Sequence, residues 1–157
     1  MSESGISMQV NVTDGISPTV ASLLRAAKDI DPLLDEIGAS QVSEVQTRFE
    51  RQVGPDGKKW EKLSPVTLAL RARNPRVKSP KILSVTRTLY DSYTHAVRSG
   101  ESVTVGSNYR TSRIHNLGGK AGPGHAVTIP ARPQLGVSAE GQKEILEIVT
   151  DHFGGDS

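Results

Sequence analysis

Cysteine is absent from this 157-residue chain, and aromatic residues make up only 4% of it. Without a thiol there is no disulfide framework, no thiolate metal site and no cysteine nucleophile. The aromatics are Phe49, Trp60, Tyr90, Tyr93, Tyr109 and Phe153. Hydrophobic residues amount to 35%, so core material is thin for a length that predicts one domain over residues 1–157. No run of about 18 apolar residues occurs, so no membrane-spanning helix and no membrane partner are expected. Met1–Gln9 lacks a basic region followed by an apolar one, and no secretory signal is expected there.

Catalytic patterns are missing too. His95, His115, His125 and His152 form no close pair and no H-E-x-x-H pattern, so no metal site is read. Gly118-Gly119-Lys120-Ala121-Gly122 has no Lys-Ser/Thr where a phosphate loop needs it, and no apolar strand leads into it. No Gly-x-Ser-x-Gly turn frames a nucleophile. The residues therefore point to a protein that is not an enzyme and uses no cofactor.

What is abundant is Gly (15), Pro (9) and segregated charge. The net charge of +2 conceals four blocks: −4 over Met1–Glu61, +7 over Lys62–Tyr90, +3 over Asp91–Gln134 and −4 over Leu135–Ser157. Such blocks can attract each other within a chain or between copies, or offer a basic surface to nucleic acid. The basic block could neutralise several phosphates. It holds no aromatic before Tyr90 for base stacking, and no helix-turn-helix or zinc pattern accompanies it.

Periodicity gives the elements. Met8, Val10 and Val12 alternate with polar residues as in a half-buried strand. Ser17-Pro18 starts a helix to about Asp29, and Asp31-Pro32 starts the longest one, to about Gln52. Gly38 weakens that helix by up to about 1 kcal/mol relative to Ala. Gly54-Pro55-Asp56-Gly57 makes a tight turn before Trp60. Ser64-Pro65 starts a short helix carrying Val66, Leu68 and Leu70. Residues 71–81 read as a basic exposed loop with Arg71, Arg73, Arg76, Lys78 and Lys81. A helix over Thr86–Tyr93, a hairpin around Ser99-Gly100, a long loop over 109–133 with a strand at Ala126–Ile129, and a helix from Ser138 to about Phe153 complete the chain. The fold class is α+β: a small antiparallel sheet packed with helices and bearing long extended loops. Phe49, Trp60 and Leu89 are expected as structural anchors.

These pieces, in order, resemble the phage virion morphogenesis, or tail completion, family of Mu-like phages. The resemblance is carried by Phe49, Pro55-Asp56-Gly57-Lys58-Lys59-Trp60, Leu63 and Thr67, then Ile82-Leu83 and Thr86-Arg87-Thr88-Leu89-Tyr90-Asp91-Ser92. It continues through Val105-Gly106-Ser107-Asn108, Ile114-His115-Asn116-Leu117-Gly118-Gly119, Ile129-Pro130-Ala131-Arg132-Pro133 and Leu135-Gly136-Val137. The family pattern often has Gly where Arg87 stands, and an aromatic where Leu117 and Gln134 stand.

The resemblance implies a structural protein of the head–tail junction. It would work as a ring, commonly hexameric, that completes the tail or joins it to the head, among other neck and tail proteins. That places it in the virion, and in host cytoplasm during assembly, close to packaged DNA. The alternative is a basic nucleic-acid-binding protein or capsid-assembly chaperone not retained in the virion. His115, Gly118, Gly119, Ile129, Pro130, Arg132 and Pro133 are the expected contacts to a neighbouring subunit or the tail, since the long loop holds one β-prone stretch and a proline-stiffened end. The basic residues are expected to face an acidic segment of a neighbour, to line a channel for DNA, or to form a solvated loop.

Overall fold

A computed structural model describes residues 5–10, 29–76, 82–83 and 87–154. The helix expected over Pro18–Asp29 lies outside these residues except for its last position, as do Val12, Lys78, Lys81 and Thr86. Within them the fold is α+β. Strands β1 (Ile6–Val10), β2 (Thr94–Arg98) and β3 (Ser102–Ser107) form an antiparallel sheet in the order β1-β3-β2. Helix α1 (Asp31–Arg51) packs against β2 and β3, and α5 (Ala139–Gly154) packs against α1. Between them come α2 (Pro65–Ala72), α3 (Thr88–Asp91), α4 (Ser112–Leu117) and a second, two-stranded sheet of β4 (Gly119–Ala121) and β5 (Val127–Ile129).

The register explains the alternation. Val103 lies opposite Val10 and Val97, and Val105 opposite Met8 and His95, so these side chains share one face. That face meets α1. Gly38, a weak point in a helix read alone, is required here: a Cβ would sit 2.5 Å from the His95 ring and 2.6 Å from Val103. Asp31 ties the start of α1 to the β2–β3 turn. Its carboxylate accepts from Ser99 Oγ (2.7 Å) and Gly100 N (2.8 Å), which hold its pKa below the usual carboxylate value.

Two apolar clusters form. One gathers Leu33, Leu34, Ile37 and Val103 with Ile145, Ile148 and Val149 of α5. The other gathers Val45, Phe49, Trp60, Ile82, Leu89 and Tyr93, with Tyr90 and Tyr109 at its edge. All the aromatics except Phe153 are thus concentrated in one place. Phe49 stands edge-on to Trp60 (5.4 Å between centroids) and to Tyr90 (5.8 Å), geometries the ring quadrupoles favour. Trp60 is delivered there by the glycine turn, which brings Trp60 N within 2.8 Å of Gln52 O.

Two elements differ from their sequence pattern. The helix expected over Thr86–Tyr93 is one turn, Thr88–Asp91. Arg87 has φ +63°, a left-handed conformation that cannot continue a right-handed helix and that a side chain normally disfavours. Its guanidinium lies 4.3 Å over the Tyr90 ring and 3.4 Å from Glu50, contacts that help hold it there. The expected loop over 109–133 contains α4, the β4–β5 hairpin and a 3-10 turn at Pro123–His125.

Candidate interaction surface

The proline-stiffened segment after β5 lies along α4 and is fastened at nearly every residue. Arg132 N donates to His115 O (2.9 Å). Gln134 N and Leu135 N both donate to Asn116 Oδ1, at 2.8 and 3.0 Å. Trp60 Nε1 donates to Pro133 O (2.8 Å), and Arg48 Nη1 to Gln134 O (2.6 Å). The Gln134 side chain is fully buried. It accepts from Tyr93 OH (2.6 Å) and donates to Arg132 O. Burial pushes the Tyr93 hydroxyl pKa far upward, so it remains a donor. This network fixes the segment between α1, α4 and the Trp60 turn.

Arg132 is itself buried, and its Nε donates to Glu61 O (2.9 Å). The side chain therefore clamps the approach to α2 within its own subunit. His115 sits beside it. Burial first, and the Arg132 cation second, lower the His115 pKa, and its buried Nδ1 has no hydrogen-bond partner among the described residues.

Gly118 ends α4 with φ +75°, and a Cβ there would lie 2.8 Å from Ala131 N and 3.0 Å from Ile129 O. Two backbones approach at this point, and only glycine permits it. Gly119 pairs with Ile129 at the base of the hairpin. Val127–Ile129, the β-prone stretch, thus finds one strand partner in its own chain. The residues from Gly122 to Thr128 are exposed, so the hairpin tip projects. Leu117 (55% exposed) and Val127 (51%) place apolar side chains on this part of the surface. Arg110, Arg113 and Lys120 surround a shallow depression of about 290 Å³ beside Leu117.

Among the described residues, helix α2 carries the most exposed large apolar side chains. Ser64 caps it, accepting from Thr67 N (3.2 Å), and Pro65 occupies its first turn, as the sequence indicates. None of its residues is buried, and Val66, Leu68 and Leu70 are 69%, 51% and 64% exposed. Arg71 is in its last turn and half-buried; burial first, and Arg132 second, lower its pKa. Arg73 and Arg76 follow in the exposed turn. The basic loop expected over residues 71–81 therefore begins as a helix end.

Of the residues singled out from sequence, His115, Gly118, Ile129, Arg132 and Pro133 come together around α4, and Phe49, Trp60 and Leu89 meet in the second cluster. Sequence reasoning missed Asn116, Gln134 and the exposed Leu117 and Val127. Asn and Gln in a polar loop give no pattern by which to recognise buried acceptors. Among the described residues, no group of three His, Asp or Glu side chains is placed to hold a metal ion.

The profile of the phage virion morphogenesis family matches residues 12–154. The chain is also 32% identical over 148 residues to the Mu-like prophage FluMu G protein 2 of Haemophilus influenzae, covering 94% of this chain and 96% of that protein. No solved structure matches it.

Proposed function

This chain belongs to the phage virion morphogenesis family, and from that premise we propose that it is a non-enzymatic structural protein of the head–tail junction. Copies of it form a ring, commonly a hexamer in the pattern the family resemblance implies. The ring completes or terminates the tail and joins it to the head, in contact with other neck and tail proteins. The observation that carries this reading is the family match across nearly the whole chain. The surface supports it: Val66, Leu68 and Leu70 are each more than half exposed on one short helix, a degree of apolar exposure typical of a surface awaiting a partner.

Quantitative mass spectrometry of purified virions tests the reading. The expected result is a fixed stoichiometry near that of one or two rings per particle. Absence from finished particles, with accumulation only in assembling lysates, would refute it and favour the assembly-chaperone alternative.

A further inference from the structure

We propose that α2 of one copy docks on the outer face of α5 of the next, with its apolar side chains against Leu146 and Phe153 and its arginines toward Glu147 and Asp151. This contact rests on the ring reading above and specifies how the ring closes.

Helix α2 is apolar around most of its circumference. Val66 and Leu70 lie four residues apart on one side, and Leu68 and Ala72 four apart on the other. Only Thr67 and Arg71, four residues apart, interrupt this apolar surface; an apolar helix face is ordinarily buried against a neighbour, yet no residue of α2 is buried. Its cations lie at one end: Arg71 in the last turn, then Arg73 and Arg76. A partner for α2 must therefore offer apolar side chains beside acidic ones.

Helix α5 offers that combination. Ile145, Ile148 and Val149 turn inward to the first core cluster. On the outer side, Leu146 (45% exposed) and Phe153 (36%) are seven residues apart, with Thr150 between them. Across the same outer face, beyond Thr150 and exposed Lys143, Glu140, Glu144, Glu147 and Asp151 follow at helical spacing and form an acidic stripe along its other edge. Each surface is crowded with its own sign of charge. Glu44 of α1 faces Glu144 and Glu140 across this stripe, and burial, then Glu144, raise its pKa. On the other surface Arg71 has the buried Arg132 cation beside it, which, after burial, lowers its pKa. A neighbour bringing the opposite charge relieves both, whereas a second copy of the same patch would aggravate them.

The two helices share no extensive contact within the subunit. They are anchored in different places: α5 on the first cluster, and α2 just beyond Leu63, which packs on the second. A contact between two different patches of identical subunits is heterologous, and it generates a ring where the rotation between neighbours closes.

The absence of native cysteine makes the contact directly testable in the full chain. Leu70→Cys and Leu146→Cys alter two exposed side chains. With a short bismaleimide, mixing the two single variants should yield covalent dimers, and neither alone should. The double variant should yield a ladder up to the ring size. In that background, Arg73→Glu with Arg76→Glu should abolish the ladder, and adding Glu147→Arg with Asp151→Arg should restore it. Oligomers that sediment intact but give no 70–146 cross-link would overturn this contact and leave the ring reading standing. So would cross-linking of the Leu70→Cys variant to itself. Failure of the charge swap to restore the ladder would overturn the assigned pairing. A parent chain that sediments as a monomer at every concentration tells against the ring itself, and this contact falls with it.

Discussion

Replacing Asn116 by Ala should loosen the segment on which the interaction surface is built. One oxygen, Asn116 Oδ1, accepts from two backbone donors, Gln134 N at 2.8 Å and Leu135 N at 3.0 Å. Asn116 is buried, Gln134 is fully buried and Leu135 is half-buried. Without the amide both donors lose their acceptor in a site closed by Trp60, Tyr93 and Arg48. A buried donor left unsatisfied costs about 1–3 kcal/mol, with the lower end fitting half-buried Leu135, so the pair costs roughly 2–4 kcal/mol. For a domain of this size each kcal/mol moves the melting midpoint by about 2–4 °C, which predicts a fall of roughly 4–16 °C. Asn116→Asp keeps an acceptor oxygen in place and should lose much less. Thermal and urea unfolding give the magnitude. Amide hydrogen exchange gives the location, since Gln134 and Leu135 should lose protection before the α1 core does. A loss below about 0.5 kcal/mol for Ala would refute the reasoning, because it would equal an ordinary surface substitution. An Asp variant no better than Ala would also refute it.

Other consequences concern single sites. Gly118→Ala must hold a side chain at φ +75° and place a Cβ 2.8 Å from Ala131 N, so it should cost more than the ~1 kcal/mol usual for a point change; an unchanged unfolding midpoint would show that the two backbones can separate freely. Glu44 has a folded-state pKa raised above 4.5, first by burial and then by Glu144, so the folded chain holds its proton more tightly than the unfolded chain does. Stability from this group is gained as pH falls through the folded pKa and is absent at neutral pH. Glu44→Gln should therefore raise the melting midpoint at pH 7 and steepen the loss of stability on the acid side, and a lower midpoint at pH 7 would contradict this. Leu117→Ser with Val127→Ser removes two exposed apolar side chains. It should leave the unfolding midpoint within about 0.5 kcal/mol of the parent but weaken self-association in sedimentation, and a large loss of folding stability would show that these residues support the subunit instead.

Local signals located much of the fold. Asp31-Pro32 and the apolar spacing from Leu33 to Phe49 gave α1 within a residue at each end, because a helix start and a 3.6-residue stripe are both written within one turn of chain. Ser64-Pro65 did the same for α2, and alternation did so for β2 and β3. Helix α4 escaped notice: its six residues carry only Ile114 and Leu117 as apolar positions, too few for a period to appear. Arg87 shortened α3 against its own pattern, through a backbone conformation that a contact with Tyr90 helps to hold.

The sequence by itself determined the class of elements, the basic and acidic blocks, and a motif order sufficient to indicate the family, because each is a property of neighbouring residues. Only the tertiary structure decided which of them form a surface. Arg48 meets Gln134 across 86 positions and Trp60 meets Pro133 across 73, and no local pattern encodes such pairs. Exposure is likewise set by the packing of distant segments. The apolar residues of α2 and those of α1 look alike in sequence, yet one set fills the core and the other remains on the surface.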